Sequence, residues 1–212
     1  MKKRIGFLLC VMCLVIDALV MQVSAEEVTG TCGENVTWSF DDFTGTLTIS
    51  GTGDMYDSPS WGGISEVKAI VIESGVTSIG ARAFSGCGSL VSVTIPQSCT
   101  SIGIQAFENC RSLTNIELPS GLTQIGEGAF MHCNSLRQMI IPDGCTDIGG
   151  IVFYWCSNLT AVTLPSDMVE IPASMFQGCT SLTSIEIPNG VTALGDYAFG
   201  FTALKSVSFP KG

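Results

Sequence analysis

A 23-residue repeat is the feature that most constrains what this sequence can fold into. One phenylalanine recurs at this spacing six times, and a cysteine, a leucine and a proline recur five times each in the same register. Because one such unit cannot bury its apolar side chains alone, neighbouring units must stack and share a continuous core. The sequence therefore predicts a solenoid. The repeated residues are Phe84, Phe107, Phe130, Phe153, Phe176 and Phe199; Cys87, Cys110, Cys133, Cys156 and Cys179; Leu90, Leu113, Leu136, Leu159 and Leu182; and Pro96, Pro119, Pro142, Pro165 and Pro188.

The spacing of apolar residues inside one unit predicts short strands joined by tight turns. Ile116 and Leu118 alternate at period two, which is typical of side chains on one face of a strand. Pro119 lacks a backbone donor and ends the pairing. Residues 129–136 carry apolar side chains three to four positions apart, which favours a helical or 3-10 turn. We expect seven such strand segments, from residues 67–72 to residues 204–209, to stack in parallel.

Residues 1–25 have the layout of a secretory signal peptide. A basic cluster at residues 2–4 precedes an apolar run, and Val23-Ser24-Ala25 offers a cleavage site of small residues. An uncleaved anchor is the alternative, although Asp17 interrupts the apolar run and a charge in the bilayer is costly. After cleavage we expect no transmembrane span. Cleavage removes three basic residues and one acidic residue, so the formal net charge changes from −10 to −12.

Residues 26–66 precede the repeats and have the pattern of a β-hairpin. Val36, Trp38 and Phe40 alternate, residues 41–45 supply a turn, and residues 46–50 alternate again. A cap is physically required here, because the first coil would otherwise expose its core and its strand edge. The sequence thus predicts an N-terminal β cap over residues 26–66, followed by about six coils over residues 67–212.

The charge and the histidine content exclude several functions. A chain with nine basic residues and 19 acidic ones offers no basic face for nucleic acid. His132 is the only histidine, and we interpret it as a surface residue rather than as a catalytic base. Asp54 and Asp57 are interpreted as turn residues, with a weak calcium site as the alternative. We therefore predict no catalytic residues, no cofactor and no metal site.

The repeat resembles the BspA-type leucine-rich repeat of bacterial and some protist surface proteins. The resemblance covers Val67 to Gly212 and is carried by the tandem pattern I-P-x-x-V-T-x-I-G-x-x-A-F, with one variant running from Ile187 to Phe199. Residues 30–53 also resemble the N-terminal region common in such proteins. The resemblance implies a right-handed leucine-rich-repeat solenoid with short parallel strands. It also implies a secreted or cell-surface protein that acts in adhesion.

Two functions from different classes follow from this resemblance and from the repeat itself. The first is a non-enzymatic binding module that adheres to a protein ligand, such as a host matrix or cell-surface protein. The alternative is a structural repeat segment of a larger surface protein, in which the last strand edge associates end to end with another chain. Size-exclusion chromatography at two concentrations separates the two, because only self-association depends on concentration.

Two sets of residues are candidates for a binding surface. The first set projects outwards between the buried strand residues, and its varied polar side chains suit protein recognition, although a plain solvated face is the alternative. Its members are Asn115, Glu117, Gln138 and Glu186. The second set follows the repeated phenylalanine in two adjacent units and would form an apolar and aromatic patch, unless Trp155 folds back over the core edge. Its members are Met131, His132, Tyr154 and Trp155.

Ten cysteines in a secreted chain would normally indicate a disulfide scaffold. The repeat favours a different interpretation, because two cysteines lie in the signal peptide and five form a ladder beside the repeated phenylalanine. Cys99 and Cys145 occupy a register that apolar core residues hold in other units. Stacked neighbours have parallel Cβ vectors, which disfavours a disulfide bond. We therefore predict buried free thiols that pack as small hydrophobic side chains.

Overall fold

A computed structural model describes residues 28–59, 61 and 66–209. Within these residues the chain forms a solenoid with three sides, namely two rows of short strands and one row of turns. The coils follow one another every 23 residues, as the register Ile79 to Ile102 and Ile102 to Ile125 shows. The predicted solenoid is confirmed. The predicted signal peptide lies outside the described residues, and none of the described residues belongs to a helix able to cross a membrane.

The strands divide between the two rows and the cap. In chain order they are β1 (Val28–Thr31), β2 (Val36–Asp41), β3 (Thr46–Gly51), β4 (Gly53–Asp54), β5 (Ala69–Ile72), β6 (Val76–Ile79), β7 (Ser92–Thr94), β8 (Ser101–Ile102), β9 (Gln124–Ile125), β10 (Gln138–Ile140), β11 (Asp147–Ile148), β12 (Ala161–Thr163), β13 (Glu170–Ile171) and β14 (Ala193–Leu194). The first row holds β3, β5, β7, β10 and β12, and the second row holds β4, β6, β8, β9, β11, β13 and β14.

The predicted hairpin is present and is joined directly to the coil stack. Strands β1, β2 and β3 pair antiparallel, with Trp38 opposite Ile49. Strand β3 also pairs in parallel with β5, in the register Leu47 to Ile70. The last strand of the hairpin is therefore the first strand of the stack, and it covers the edge that the first repeat would otherwise expose.

Fewer first-row strands form than the seven that the sequence predicts. The segments 113–118, 182–187 and 204–209 contain no strand, although Leu113 and Leu182 are buried as expected. A strand requires hydrogen bonds to a neighbour as well as a buried face. Segment 113–118 lies between two open clefts of about 440 and 450 Å³, which separate it from the strands on either side.

The third side consists of single turns, so of the predicted helical or 3-10 turns the helical alternative is absent from the described residues. The amide of Cys133 donates to the carbonyl of Phe130 in a single turn, while the amide of Phe130 donates to Val152 in the next coil. Gln105 and Asn109 have φ angles of 54° and 60°. Left-handed residues on either side of the repeated phenylalanine stop a right-handed helix from continuing and direct alternate amides along the solenoid axis.

A stack of aromatic rings runs through the core. From Phe84 to Phe199 the centroids of neighbouring rings lie 5.4 to 5.8 Å apart. Trp61 continues the stack at a centroid distance of 5.5 Å from Phe84, and its indole nitrogen donates to the carbonyl of Ala83 at 2.8 Å. Trp38 closes the stack with an edge contact to Trp61. The cap and the repeats therefore share one continuous core.

The cysteine ladder runs beside the aromatic stack. All eight cysteines of the described part of the chain are free, and seven of them are buried. The Sγ atom of Cys133 donates to the carbonyl oxygen of Phe107 in the preceding coil at 3.2 Å, and Cys156 donates to Phe130 at 3.1 Å. The predicted packing of free thiols is thus confirmed, and each of these two thiols also satisfies a backbone acceptor.

Glycines at the ends of the second-row strands let successive coils approach closely. A Cβ atom at Gly126 would lie 2.5 Å from the backbone nitrogen of Ile104, so there is no space for a side chain. The amide of Gly126 meanwhile donates to Ile102 at 2.8 Å, which requires the close approach.

Substitution Gly126→Ala is expected to lower the free energy of unfolding by about 1–3 kcal/mol, because the coil must move away from its neighbour. Urea denaturation measures the change. Gly121→Ala is the matched control, since the nearest atom to a Cβ there lies at 3.9 Å. Equal losses in the two variants would contradict the close-approach argument.

Candidate functional site

Three side chains on the turn side form a cluster that we call the aromatic patch: His132, Tyr154 and Trp155. The His132 and Tyr154 rings meet edge to face at a centroid distance of 5.7 Å, and Tyr154 meets Trp155 in the same way at 6.3 Å. His132 and Trp155 occupy the left-handed position that follows the repeated phenylalanine, with φ angles of 60° and 56°. The patch is therefore built on the row of turns that forms the third side of the solenoid.

The sequence left open whether Trp155 is exposed or folds back over the core edge, and the structure combines the two arrangements. Its indole lies over Gly178 of the next coil, where an added Cβ atom would come within 2.7 Å of Cδ2 of the indole. The residue nevertheless remains 39% exposed. Met131, His132 and Tyr154 are half-buried. The indole is thus supported on one face by the backbone and presents the remainder of its surface to solvent.

The backbone beneath the patch is fixed by hydrogen bonds between coils. The amide of His132 donates to the carbonyl of Tyr154, and the amide of Trp155 donates to Gln177, each at 2.8 Å. The backbone that carries the three side chains of the patch is therefore held in place by the neighbouring coils.

The polar candidates lie on the first-row side, away from the patch. Asn115, Glu117 and Gln138 are exposed and line one cleft of about 450 Å³ together with Ile140. Glu186 is also exposed but lines a different cleft of about 300 Å³, beside Thr163. The structure thus brings three of the four residues together and leaves Glu186 apart.

The acidic residues proposed as turn residues link the first coils. The hydroxyl of Thr77 donates to Oδ1 of Asp54 at 2.6 Å, and the amide of Ala81 donates to Oδ1 of Asp57 at 2.7 Å. The hydrogen bond from Thr77 lowers the pKa of Asp54. Within residues 28–59, 61 and 66–209, no three His, Cys, Asp or Glu side chains are grouped so that they could hold a metal ion.

Exposed aromatic residues outside the patch were not identified from the sequence. Phe43, at the tip of the cap hairpin, is 91% exposed, and Tyr197 and Phe201 are exposed in the last described coil. Tyr197 lies two residues before Phe199 and Phe201 two residues after it, and both have positive φ angles in the row of turns. A position two residues from the repeated phenylalanine is therefore the sequence signal for a side chain outside the core.

Solved structures of bacterial leucine-rich repeat proteins are similar to this chain. A Treponema pallidum leucine-rich repeat protein is 26% identical with a TM-score of 0.60, over 78% of this chain and 85% of the other. A Bacteroides ovatus leucine-rich repeat protein is 27% identical with a TM-score of 0.60, over 82% of this chain. A leucine-rich cell-surface protein of Faecalibacterium prausnitzii is 28% identical with a TM-score of 0.66, over 87% of this chain. The alignments cover 57% of the length of each of the last two proteins.

A family profile covers the repeats and extends into the preceding segment. The BspA-type leucine-rich repeat region matches with six copies, over residues 58–150 and 100–212. No curated protein matches the chain significantly. The profile spans well over half of the sequence, and its repeats coincide with the coils that contain the stacked phenylalanine rings. The chain therefore belongs to the BspA-type leucine-rich repeat family.

Proposed function

We propose that this protein is a secreted or cell-surface module that binds a host or other-cell protein in adhesion, with the aromatic patch as its principal contact. The observation that carries the proposal is the exposure of Trp155 on a fixed backbone, beside Tyr154 and His132. Tryptophan and tyrosine are enriched among the residues that dominate protein–protein binding energy.

The family supports a binding role rather than catalysis, and the predicted signal peptide supports secretion. Leucine-rich repeat proteins of this type are binding scaffolds, and the Faecalibacterium relative is described as a cell-surface protein. The signal peptide predicted at residues 1–25 would direct the chain out of the cell. Solenoids present extended surfaces built from successive coils, which suits contact with a large partner.

The polar candidates supply a second and weaker contact surface. Asn115, Glu117 and Gln138 surround a cleft whose walls also include Ile116 and Ile140. A polar rim around an apolar depression is the usual composition of a protein interface. We propose that these residues adjust specificity, while the aromatic patch contributes most of the affinity.

Replacing Tyr154 and Trp155 together by serine is expected to weaken capture of a partner at least tenfold, on the order expected when two binding anchors are lost. The mature protein is immobilised and exposed to host matrix and cell-surface extracts, and each captured partner is then titrated. The double variant Phe43→Ser/Tyr56→Ser is the matched control, because it removes two exposed aromatic side chains from the cap.

Loss of the indole contact with Gly178 also costs some stability, so binding is compared well below the melting temperature of every variant. Circular dichroism shows that each variant is folded at the temperature used. Unchanged capture by the folded Tyr154→Ser/Trp155→Ser variant would remove the patch from the proposed function.

A further inference from the structure

The second row of strands is interrupted at one junction between coils. At four other junctions a glycine amide donates to an isoleucine carbonyl of the preceding coil: Gly103 to Ile79, Gly126 to Ile102, Gly149 to Ile125 and Gly195 to Ile171. The corresponding residue at the remaining junction is Pro172, which has no amide hydrogen. Between residues 146–148 and 169–172, all of them described, no backbone hydrogen bond crosses the junction, and β11 and β13 do not pair.

The proline also prevents the two coils from closing at this side. The glycines of the other junctions have no space for even a Cβ atom, so a pyrrolidine ring cannot occupy the same position. On the turn side of the same junction, backbone hydrogen bonds still join the two coils. The amide of Ile151 donates to the carbonyl of Ala173, and that of Phe153 donates to Met175, each at 2.9 Å. The result is a wedge-shaped opening of about 460 Å³, which we call the Pro172 cleft.

The Pro172 cleft has apolar walls and acidic side chains. Its apolar lining includes Ile148, Met168, Val169 and Pro172. The acidic residues Asp147, Asp167 and Glu170 line it as well, and it has no lysine or arginine among its lining residues. Cys145 also lines the cleft, and its pKa is raised to about 11, first by burial and then by the negative charges of Asp147 and Asp167.

Several departures from the repeat coincide at this junction. Val169 stands where other coils have a threonine, namely Thr77, Thr100, Thr123, Thr146 and Thr192. The hydroxyl of Thr123 donates to the carbonyl of Thr100 in the preceding coil, whereas Val169 has no such donor and is 65% exposed. The same two coils are bridged on the turn side by Trp155 over Gly178. The cleft and the aromatic patch therefore lie on adjacent sides of one coil junction.

We propose that the Pro172 cleft receives a lysine or arginine side chain of the protein partner, whose neighbouring residues rest on the aromatic patch. This inference rests on the proposed binding function and assigns a chemical class to part of the partner. The aliphatic stem of the basic side chain packs against Ile148 and Val169, while its charged end meets the carboxylates of Asp147 and Glu170. The net negative charge of the protein attracts such a partner before contact.

Two blocked peptides test the charge requirement: Gly-Ser-Arg-Ser-Gly and its analogue with neutral citrulline in place of arginine. Each is titrated into the ¹⁵N-labelled mature protein, and amide chemical shifts are followed by NMR. The expected result is saturable binding of the arginine peptide, with shifts confined to residues 145–150 and 167–173. The citrulline peptide is expected to bind about tenfold more weakly, because a charged hydrogen bond is lost.

Two variants separate the shape of the cleft from its charge. Asp147→Asn/Glu170→Gln is expected to weaken binding about tenfold, whereas the exposed and distant pair Glu34→Gln/Glu73→Gln leaves binding unchanged. Pro172→Gly keeps all three carboxylates but allows the coils to close, so the localised shifts are expected to disappear. Absence of binding, shifts spread over the whole acidic surface, or wild-type binding by Pro172→Gly would each overturn the inference.

Partner capture by the same variants distinguishes this inference from the proposed function. If Tyr154→Ser/Trp155→Ser abolishes capture and the cleft variants do not, the cleft inference fails and the proposed function stands. If the arginine peptide binds in the cleft while the patch variant captures its partner normally, the patch is removed and the basic-side-chain site stands.

Discussion

Replacing Phe130 by alanine is expected to lower the free energy of unfolding by about 3–5 kcal/mol. Phe130 is fully buried, and its ring lies between those of Phe107 and Phe153 at centroid distances of 5.5 and 5.8 Å. Alanine leaves a cavity in the middle of the stack, and the rigid coils on either side cannot move together to fill it, because their backbones are hydrogen-bonded to each other. Two ring contacts are lost as well as buried area.

Urea denaturation followed by circular dichroism measures this change. The matched control is Phe43→Ala at the exposed tip of the hairpin, where the change is expected to stay within about 0.5 kcal/mol. The variant also tests whether the solenoid unfolds as one unit. Since each coil contacts only its neighbours, a weakened central junction is expected to broaden the transition and reduce its slope. An unchanged midpoint for Phe130→Ala would be incompatible with a continuous aromatic core.

The solenoid could be predicted from the sequence because identical residues recur in one register. Trp61 illustrates where this signal weakens. It lies 23 residues before Phe84 and continues the stack, yet a different residue type followed by two glycines hides the repeat. The solenoid core consequently extends into the segment before Val67, a continuity that the resemblance of the repeats alone did not reveal.

The turn side shows why spacing alone was insufficient. Apolar residues three to four apart fit a helix and a series of single turns equally well, and the sign of φ decides between them. Gly86, Gly128 and Gly178 all have positive φ and lie two residues from a repeated phenylalanine. These glycines were the available signal, because glycine adopts the left-handed conformation without the steric cost that other residues incur.

The candidate sites depend on contacts between coils, which a periodic pattern does not specify. The position of the Trp155 indole follows from the absence of a side chain at Gly178, one coil away. The Pro172 cleft follows from a substitution that is visible in the sequence, but its effect on pairing depends on how closely the other glycines approach their neighbours. Predicting such effects requires the distance between stacked coils as well as the repeat pattern.

Raising the pH from 9 to 10 is expected to destabilise the fold strongly, because seven cysteines are buried as neutral thiols. Burial raises the pKa of Cys99 from its usual value of 9.0 to about 11, and it raises the pKa of Cys133 and Cys156 well above the same value. Above pH 9 the unfolded chain loses these protons while the folded chain keeps them. Stability conferred by a raised pKa is complete below the unfolded value and is lost as the pH rises towards the folded value.

The expected loss is roughly 1 kcal/mol over the first pH unit above 9 for each deeply buried thiol, or on the order of 5 kcal/mol for Cys99, Cys110, Cys133, Cys156 and Cys179 together. This is a large part of the stability of a typical domain, about 5–15 kcal/mol, so a marked loss of stability is expected near pH 10. Urea denaturation at pH 7, 9 and 10 under anaerobic reducing conditions measures the dependence. The variant Cys133→Ala/Cys156→Ala removes two of the thiols and should show a correspondingly smaller loss relative to its own stability at pH 7. If stability stayed constant between pH 7 and pH 10, the cysteine ladder could not consist of buried neutral thiols.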